Sequence, residues 1–281
     1  MGRAANFRKR RAASGTGPGI CLSSAQQERT SLNKIDLNLV WADARAMGNA
    51  NRDLLTAIAG MFLLLPSLVA EQFMVLPAAP AGAEPTGPEL MLRLAEYATL
   101  NWPVMLVYSA VTSFGMLALQ SLLLRAERLT VRESLQAALL LLPGFFLARI
   151  MQGLGVSAGL FLFMLPGFYL IGRLALIAPV AAAERLTNPL LILQRSAQLT
   201  RGNGWRIFAL LALIFCVMLV ISLVATSVTG VIAELLLPRD AADFAMTLVG
   251  SLLETVLSLI IVLVTAALYR AAAAPAARSW S

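Results

Sequence analysis

Two ionisable residues stand inside hydrophobic runs, where a charge is costly and therefore informative. Glu254 lies about ten residues into the last apolar run, and Arg149 falls in the far third of an earlier one. An Arg149–Glu254 contact is one reading of this pair. The other keeps Glu254 protonated and hydrogen-bonded to a neighbour such as Ser258, Thr255 or Gln120. A second group of charges, Glu184, Arg185, Arg195, Arg201 and Arg206, flanks a short amphipathic stretch together with Trp205. These residues suit lipid headgroups or a docking partner. Arg173, close to the same boundary, suits a snorkelling anchor. None of these arrangements is catalytic. The chain has no histidine, which removes the commonest general base and metal ligand. Asp36, Asp43 and Glu184 match no acid–base spacing, and Ser222, Thr226, Ser227, Ser251 and Ser258 have no base in view. Cys21 and Cys216 stand alone, without metal-ligand spacing. No cofactor is implied.

The elements that must position these residues are membrane helices. Of the 281 residues, 59% are hydrophobic and 13% charged, against about a quarter charged in a soluble domain. The mean hydropathy is +0.78. So little polar surface cannot cover a globule in water. The net charge of +7 suggests nucleic acid until its location is read: most basic residues flank hydrophobic runs, as membrane orientation demands. A nucleic-acid partner is therefore not expected.

Residues 1–30 are polar and basic, with Arg8-Lys9-Arg10-Arg11, and read as a disordered tail or the product of a start assigned too early. Residues 32–52 form an amphipathic helix in which Leu37, Val40, Trp41, Ala44 and Met47 share a face. Six spans follow, at about 54–76, 102–124, 135–151, 157–180, 207–236 and 244–269, each near the ~20 residues that cross the hydrocarbon core. A loop rich in Pro, Gly and Ala (77–89) separates the first two, and a brief helix (89–99) leads into the second. A tight turn at Gly153-Leu154-Gly155 joins the third to the fourth. A second amphipathic helix covers 189–201: Asn188 caps it, Pro189 fits its first position and Gly202 closes it. Residues 274–281 form a short tail. The fold class is an all-α, six-span helical bundle with interfacial helices on one side.

Two near copies, LPGFFLAR (Leu142–Arg149) and LPGFYLIGR (Leu165–Arg173), carry Pro143-Gly144 and Pro166-Gly167. With the turn at Leu154, both breaks sit ~17 Å from the outer end and become neighbours near mid-membrane. Matched breaks free carbonyls and can build a polar site. Such a site would leave Phe145 and Phe168 accessible to aqueous thiol reagents if either were changed to cysteine. Alternatively the kinks let a hairpin pack, helped by Gly155 and Gly159.

LPGFYLIGRLALIAPVAAAE, followed by LLILQRSAQLTRGNGWRIFALL, resembles a bacterial family of six-helix inner-membrane proteins. That family includes the membrane domain found beside some glycerophosphoryl diester phosphodiesterases and stand-alone YciC-like proteins. The resemblance is specific over about 153–213, loose over about 32–269, and absent from the basic tail. It implies a bacterial plasma-membrane location and a six-helix bundle. The hydrolase chemistry of the fused relatives lies in a separate domain with histidines and metal-binding carboxylates, so it does not carry over to this chain. The expected function is non-enzymatic: envelope or lipid homeostasis through contacts with membrane lipids, a protein partner or a second copy. The alternative is a small permease with its site at the Pro-Gly breaks.

Lys and Arg alternate between loops. They are plentiful before span one (Lys34, Arg45, Arg52), after span two (Arg125, Arg128, Arg132) and after span four (Arg185, Arg195, Arg201, Arg206). In the other loops Arg93 sits among Glu71, Glu84, Glu89 and Glu96, and Arg239 beside Asp240 and Asp243. Both termini are thus expected in the cytoplasm. A fluorescent-protein fusion at the C-terminus should light up in cells, while an alkaline phosphatase fusion there should stay inactive. The reverse pattern would refute the orientation.

Overall fold

The computed structural model describes residues 35–75, 87–124 and 131–278, so the basic tail, the loop at 77–86 and Arg125 and Arg128 lie outside the described residues. The described chain is all-α, without a strand among these residues. Helix α1 spans Leu37–Ala50, with Asp36 as N-cap accepting from the Asn38 N–H at 2.9 Å. It buries Val40, Ala44 and Met47, the face that the sequence periodicity marks.

Six segments are long and apolar enough to cross a membrane. The first comprises α2 (Arg52–Ala59), a π-turn (Gly60–Leu64) and α3 (Leu65–Phe73). Pro66 explains the π-turn. It has no N–H to give the Phe62 carbonyl, and its ring would strike that carbonyl in a regular helix. The turn widens instead, and the Leu65 N–H bonds to the Gly60 carbonyl, five residues back. The second span is α4 (Gly87–Leu124), continuous through Pro103; the brief helix expected at 89–99 is its first part. The third is α5 (Val131–Leu162). The fourth is α6 (Met164–Arg173) followed by α7 (Ile177–Glu184), then the amphipathic α8 (Pro189–Leu199). The last two are α9 (Gly204–Leu236) and α10 (Arg239–Arg278), so α10 continues into what the sequence reads as a tail.

Two expectations need correction. The turn between spans three and four is not at Gly153–Gly155, which lie inside α5; the chain reverses at Phe163, whose φ of −156° and ψ of 127° are extended. Glycine marks a turn in water. In a membrane helix it is common and unbroken, because the backbone has no water to turn to. The second correction follows from the first. Pro143 is interior to α5 and close to its middle, whereas Pro166 sits in the first turn of α6, where a missing N–H breaks no bond. The two Pro-Gly pairs therefore lie at different depths and do not build a shared site. Gly144 and Gly167 serve close approach. A Cβ on Gly144 would strike the Thr187 carbonyl, and one on Gly167 would strike Leu160. A Cβ on Gly159 would come within 3.0 Å of the Gly167 backbone, so this glycine does help the hairpin pack, while Gly155 faces open space.

The spans form a ring in which α3 packs on α4, α4 on α5, α5 on α6, α6 on α9, α9 on α10 and α10 back on α3. Helix α7 packs inside it, against α4, α5 and α10. The buried core gathers at the end that carries α1 and α8, called here the basic end. There Leu117, Phe145, Val180, Ile192, Ile207 and Leu268 are fully enclosed. Toward the far end, near Phe163, the helices expose Leu, Val and Phe, as surfaces facing lipid do. Gly144→Ala should destabilise the fold by about 1–3 kcal/mol through overpacking, read as a lower thermal midpoint in detergent. Gly153→Ala, which meets nothing within 4 Å, should leave it unchanged or raise it slightly.

Candidate functional site

The break in span four is at Leu174–Leu176, four residues ahead of Pro179. Proline there removes the N–H that the Ala175 carbonyl would accept and crowds that carbonyl. Other backbone groups at the break are held by side chains. The Ser196 hydroxyl donates to the Arg173 carbonyl at 3.1 Å and accepts from the Leu176 N–H at 3.2 Å. Thr200 donates to the same Arg173 carbonyl at 2.9 Å. Gln152 of α5 donates to the Leu174 carbonyl at 3.2 Å. Ser196 and Thr200 are fully buried. The Asn188 cap on the Leu190 N–H and Gly202 at φ +83° mark the two ends of the segment that carries them.

Beside this clasp Glu184 takes both of its oxygens to the Arg195 Nε, at 2.8 and 3.0 Å, and accepts from the Tyr269 hydroxyl at 3.2 Å. These bonds tie α7, α8 and α10 together. Arg270 pairs with Asp43 at 3.1 Å and ties α10 to α1. Arg173 lies over the Tyr169 ring, 5.7 Å from its centroid, and Tyr169 meets Trp205 at 5.9 Å. Gly172 allows this crossing, since a Cβ there would strike the Gly204 carbonyl. Arg185 closes α7 in the left-handed conformation, with φ 52°. Arg206 approaches the Ile35 carbonyl at 3.5 Å, the limit of a hydrogen bond, and Arg201 is exposed. Of the charges flagged in the sequence, Glu184 and Arg195 are thus structural partners. Arg201, Arg206 and Arg185 present the basic surface around them.

A second polar place lies inside the ring. Tyr108, Ser109, Thr112, Arg149, Glu254, Thr255 and Ser258 line a cleft of ≈ 180 Å³, with Leu63 and Met116 as its apolar wall. The Tyr108 hydroxyl donates to Glu254 Oε1 at 2.6 Å. Arg149 and Glu254 share this cleft but form no ion pair within 4 Å. Among the described residues, no hydrogen bond or ion pair engages the Arg149 guanidinium. Gln120 is not the partner of Glu254 either: its amide donates to the Val262 carbonyl at 3.1 Å and to Thr265 at 2.9 Å. Sequence reasoning missed Tyr108, although a tyrosine hydroxyl in mid-span needs an acceptor and was itself a signal. Tyr108 also forms the wall of an apolar groove of ≈ 590 Å³ between α3 and α4, lined by Leu65, Pro66, Val69, Phe73, Pro103 and Val104 among others. The accessible places expected at Phe145 and Phe168 are not there. Phe145 is fully buried, and Phe168 stacks on Phe208 at 5.1 Å.

Among the described residues no group of three His, Cys, Asp or Glu converges where it could hold a metal ion. No protein-family model, curated protein or solved structure matches this chain.

The clasp gives a sharp expectation. Ser196→Ala leaves the Leu176 N–H unpaired in a buried place, so it should lower stability by about 1–3 kcal/mol. Ser196→Thr, which keeps the hydroxyl, should lose less. Arg201→Gln, at an exposed position, should be neutral within about 0.5 kcal/mol. Thermal unfolding in detergent reads all three; equal midpoints for Ser196→Ala and wild type would show that the clasp does not hold the break.

Proposed function

We propose that this chain is a non-enzymatic integral protein of a bacterial plasma membrane, with both termini in the cytoplasm, that serves envelope or lipid homeostasis by binding membrane lipid. The observation that carries this reading is the apolar groove between α3 and α4, which shares Tyr108 with the polar cleft. One side of that tyrosine suits a hydrocarbon chain. Its other side suits a polar group that has left water. An amphiphile has both parts joined, and a water-soluble solute has no use for the groove. The groove runs along Leu65–Phe73 and Pro103–Val111, about 12 Å of each helix at ~1.5 Å per residue, close to half of the ~30 Å hydrocarbon core. At the basic end, Arg185, Arg201 and Arg206 with Trp205 would lie at the cytoplasmic headgroups, where anionic lipid favours cations.

A small permease is the second reading. It is favoured by the position of the cleft inside the ring, with α7 and the buried core beneath it. In that case the site is the cleft itself rather than the Pro-Gly pairs.

Native mass spectrometry of protein extracted in mild detergent distinguishes the readings. Lipid should be retained by the wild type. It should be lost from a Val69→Trp, Val104→Trp double variant, which fills the groove while leaving the clasp and the Glu184 cluster untouched. Wild-type protein that carries no lipid would overturn the lipid reading, and a small polar metabolite in its place would favour the permease.

A further inference from the structure

The charges in the cleft specify more than an amphiphile, and this step rests on the lipid reading above. The cleft offers one cation and one carboxylate that do not pair with each other. Arg149 precedes the far end of α5 at Leu162 by about 20 Å, and Glu254 follows the start of α10 at Arg239 by about 22 Å, both at ~1.5 Å per residue. Both line one cleft and both stand many residues inside apolar spans, where hydrocarbon is expected. An unpaired guanidinium at that depth is expensive. A purely anionic headgroup would satisfy Arg149 but set a second negative charge beside Glu254. A purely cationic one would leave Arg149 bare. A group that carries both signs meets both residues.

The hydroxyls refine the choice. Ser109 donates to the Leu106 carbonyl at 3.0 Å, Thr112 to the Tyr108 carbonyl at 2.9 Å and Thr255 to the Ser251 carbonyl at 2.7 Å. Their protons are thus committed to their own helices, and what they turn toward the cleft is oxygen lone pairs. Tyr108 occupies only one oxygen of Glu254, Oε1. Apart from Ser258, whose hydroxyl proton is uncommitted, the hydroxyls of Ser109, Thr112 and Thr255 present acceptors suited to N–H donors. A primary ammonium has three such donors, and a quaternary ammonium has none.

We infer that the cleft binds the zwitterionic headgroup of a membrane phospholipid, with its phosphate on Arg149 and its primary ammonium on Glu254 and the surrounding hydroxyls. The phosphoethanolamine headgroup has this chemistry. The adjoining groove takes one of the lipid's chains, which ties the ligand to the bilayer rather than to a soluble pool.

The test is competition on purified, delipidated protein. Phospholipids with identical chains and ethanolamine, choline or glycerol headgroups are offered together, and the bound fractions are read by native mass spectrometry. Ethanolamine lipid should win by about tenfold over each of the others. Glu254→Gln should abolish its advantage over the glycerol lipid, and Arg149→Gln should weaken all three. Tyr108→Phe, which frees the second carboxylate oxygen for the ammonium without removing a charge, should keep or raise the advantage, and its loss would count against the proposal; it and the wild-type competition decide the matter should either charge variant fail to fold. Equal binding of the three lipids, or a preference that Glu254→Gln leaves intact, would overturn the headgroup assignment while the lipid reading stood. Free phosphoethanolamine displacing the lipid at comparable concentration would overturn the bilayer source. Absence of any bound lipid would remove the lipid reading itself.

Discussion

The constraint on which the structure depends is that hydrocarbon offers backbone groups no partner. Pro179 forces span four to stop and restart, and the break at Leu174–Leu176 exposes a carbonyl and an N–H that would each be costly if left alone. Ser196 and Thr200 meet them, and Gln152 meets a third group. These bonds dictate where α8 must lie. It cannot drift along the surface as a free amphipathic helix does, because two of its buried side chains are bound to the interior of its neighbour. Once α8 is fixed, Arg195 is delivered to Glu184, and Glu184 in turn receives Tyr269 from the last span. A single proline thus organises three elements.

Much of this was legible in the sequence, and the losses have a common cause. The six spans follow from apolar length alone. The ends of α8 follow from Asn188, Pro189 and Gly202, whose local chemistry needs no tertiary context. What failed was the assignment of breakers. Gly153 and Gly155 read as a turn, yet α5 runs through them; Pro143 reads as a break, yet it is interior to the same helix. Pro179, which does break its span, has no glycine beside it. Which proline interrupts a membrane helix depends on whether side chains nearby can take up the freed groups. Ser196 and Thr200 are far enough along the chain that no local pattern connects them to residue 175.

Of the intramembrane charges, Glu254 was legible in depth and Arg149 was not, and the direction of neither was. The sequence sets Arg149 in the far third of its span because it ends that span before Gly153; with the helix running on to Leu162, Arg149 comes beside Glu254 on one cleft. The structure does not pair them. Direction around a helix axis is set by packing, and a few tens of degrees decide whether a carboxylate meets a guanidinium or a phenol. Here it meets Tyr108 at 2.6 Å. At the basic end the opposite happened: Glu184 and Arg195, noted as surface candidates, are spent on each other.

The division between the two ends is itself a physical argument about use. Small residues such as Ala118, Ala138, Ala181 and Ala266 let backbones close up at the basic end, and the enclosed core lies there. Across the middle of the ring the same helices are held apart, and polar side chains line the space between them. Without a hydrophobic force between helices, close packing in lipid must be built from small residues and hydrogen bonds. Where the sequence instead places an arginine, a glutamate and a tyrosine between helices, one hydrogen bond, from Tyr108 to Glu254, crosses the space, and the long side chains leave a cleft beside it. The closed and open parts of the bundle thus follow from one rule: small residues let helices shut, and long polar side chains set between them leave a cleft.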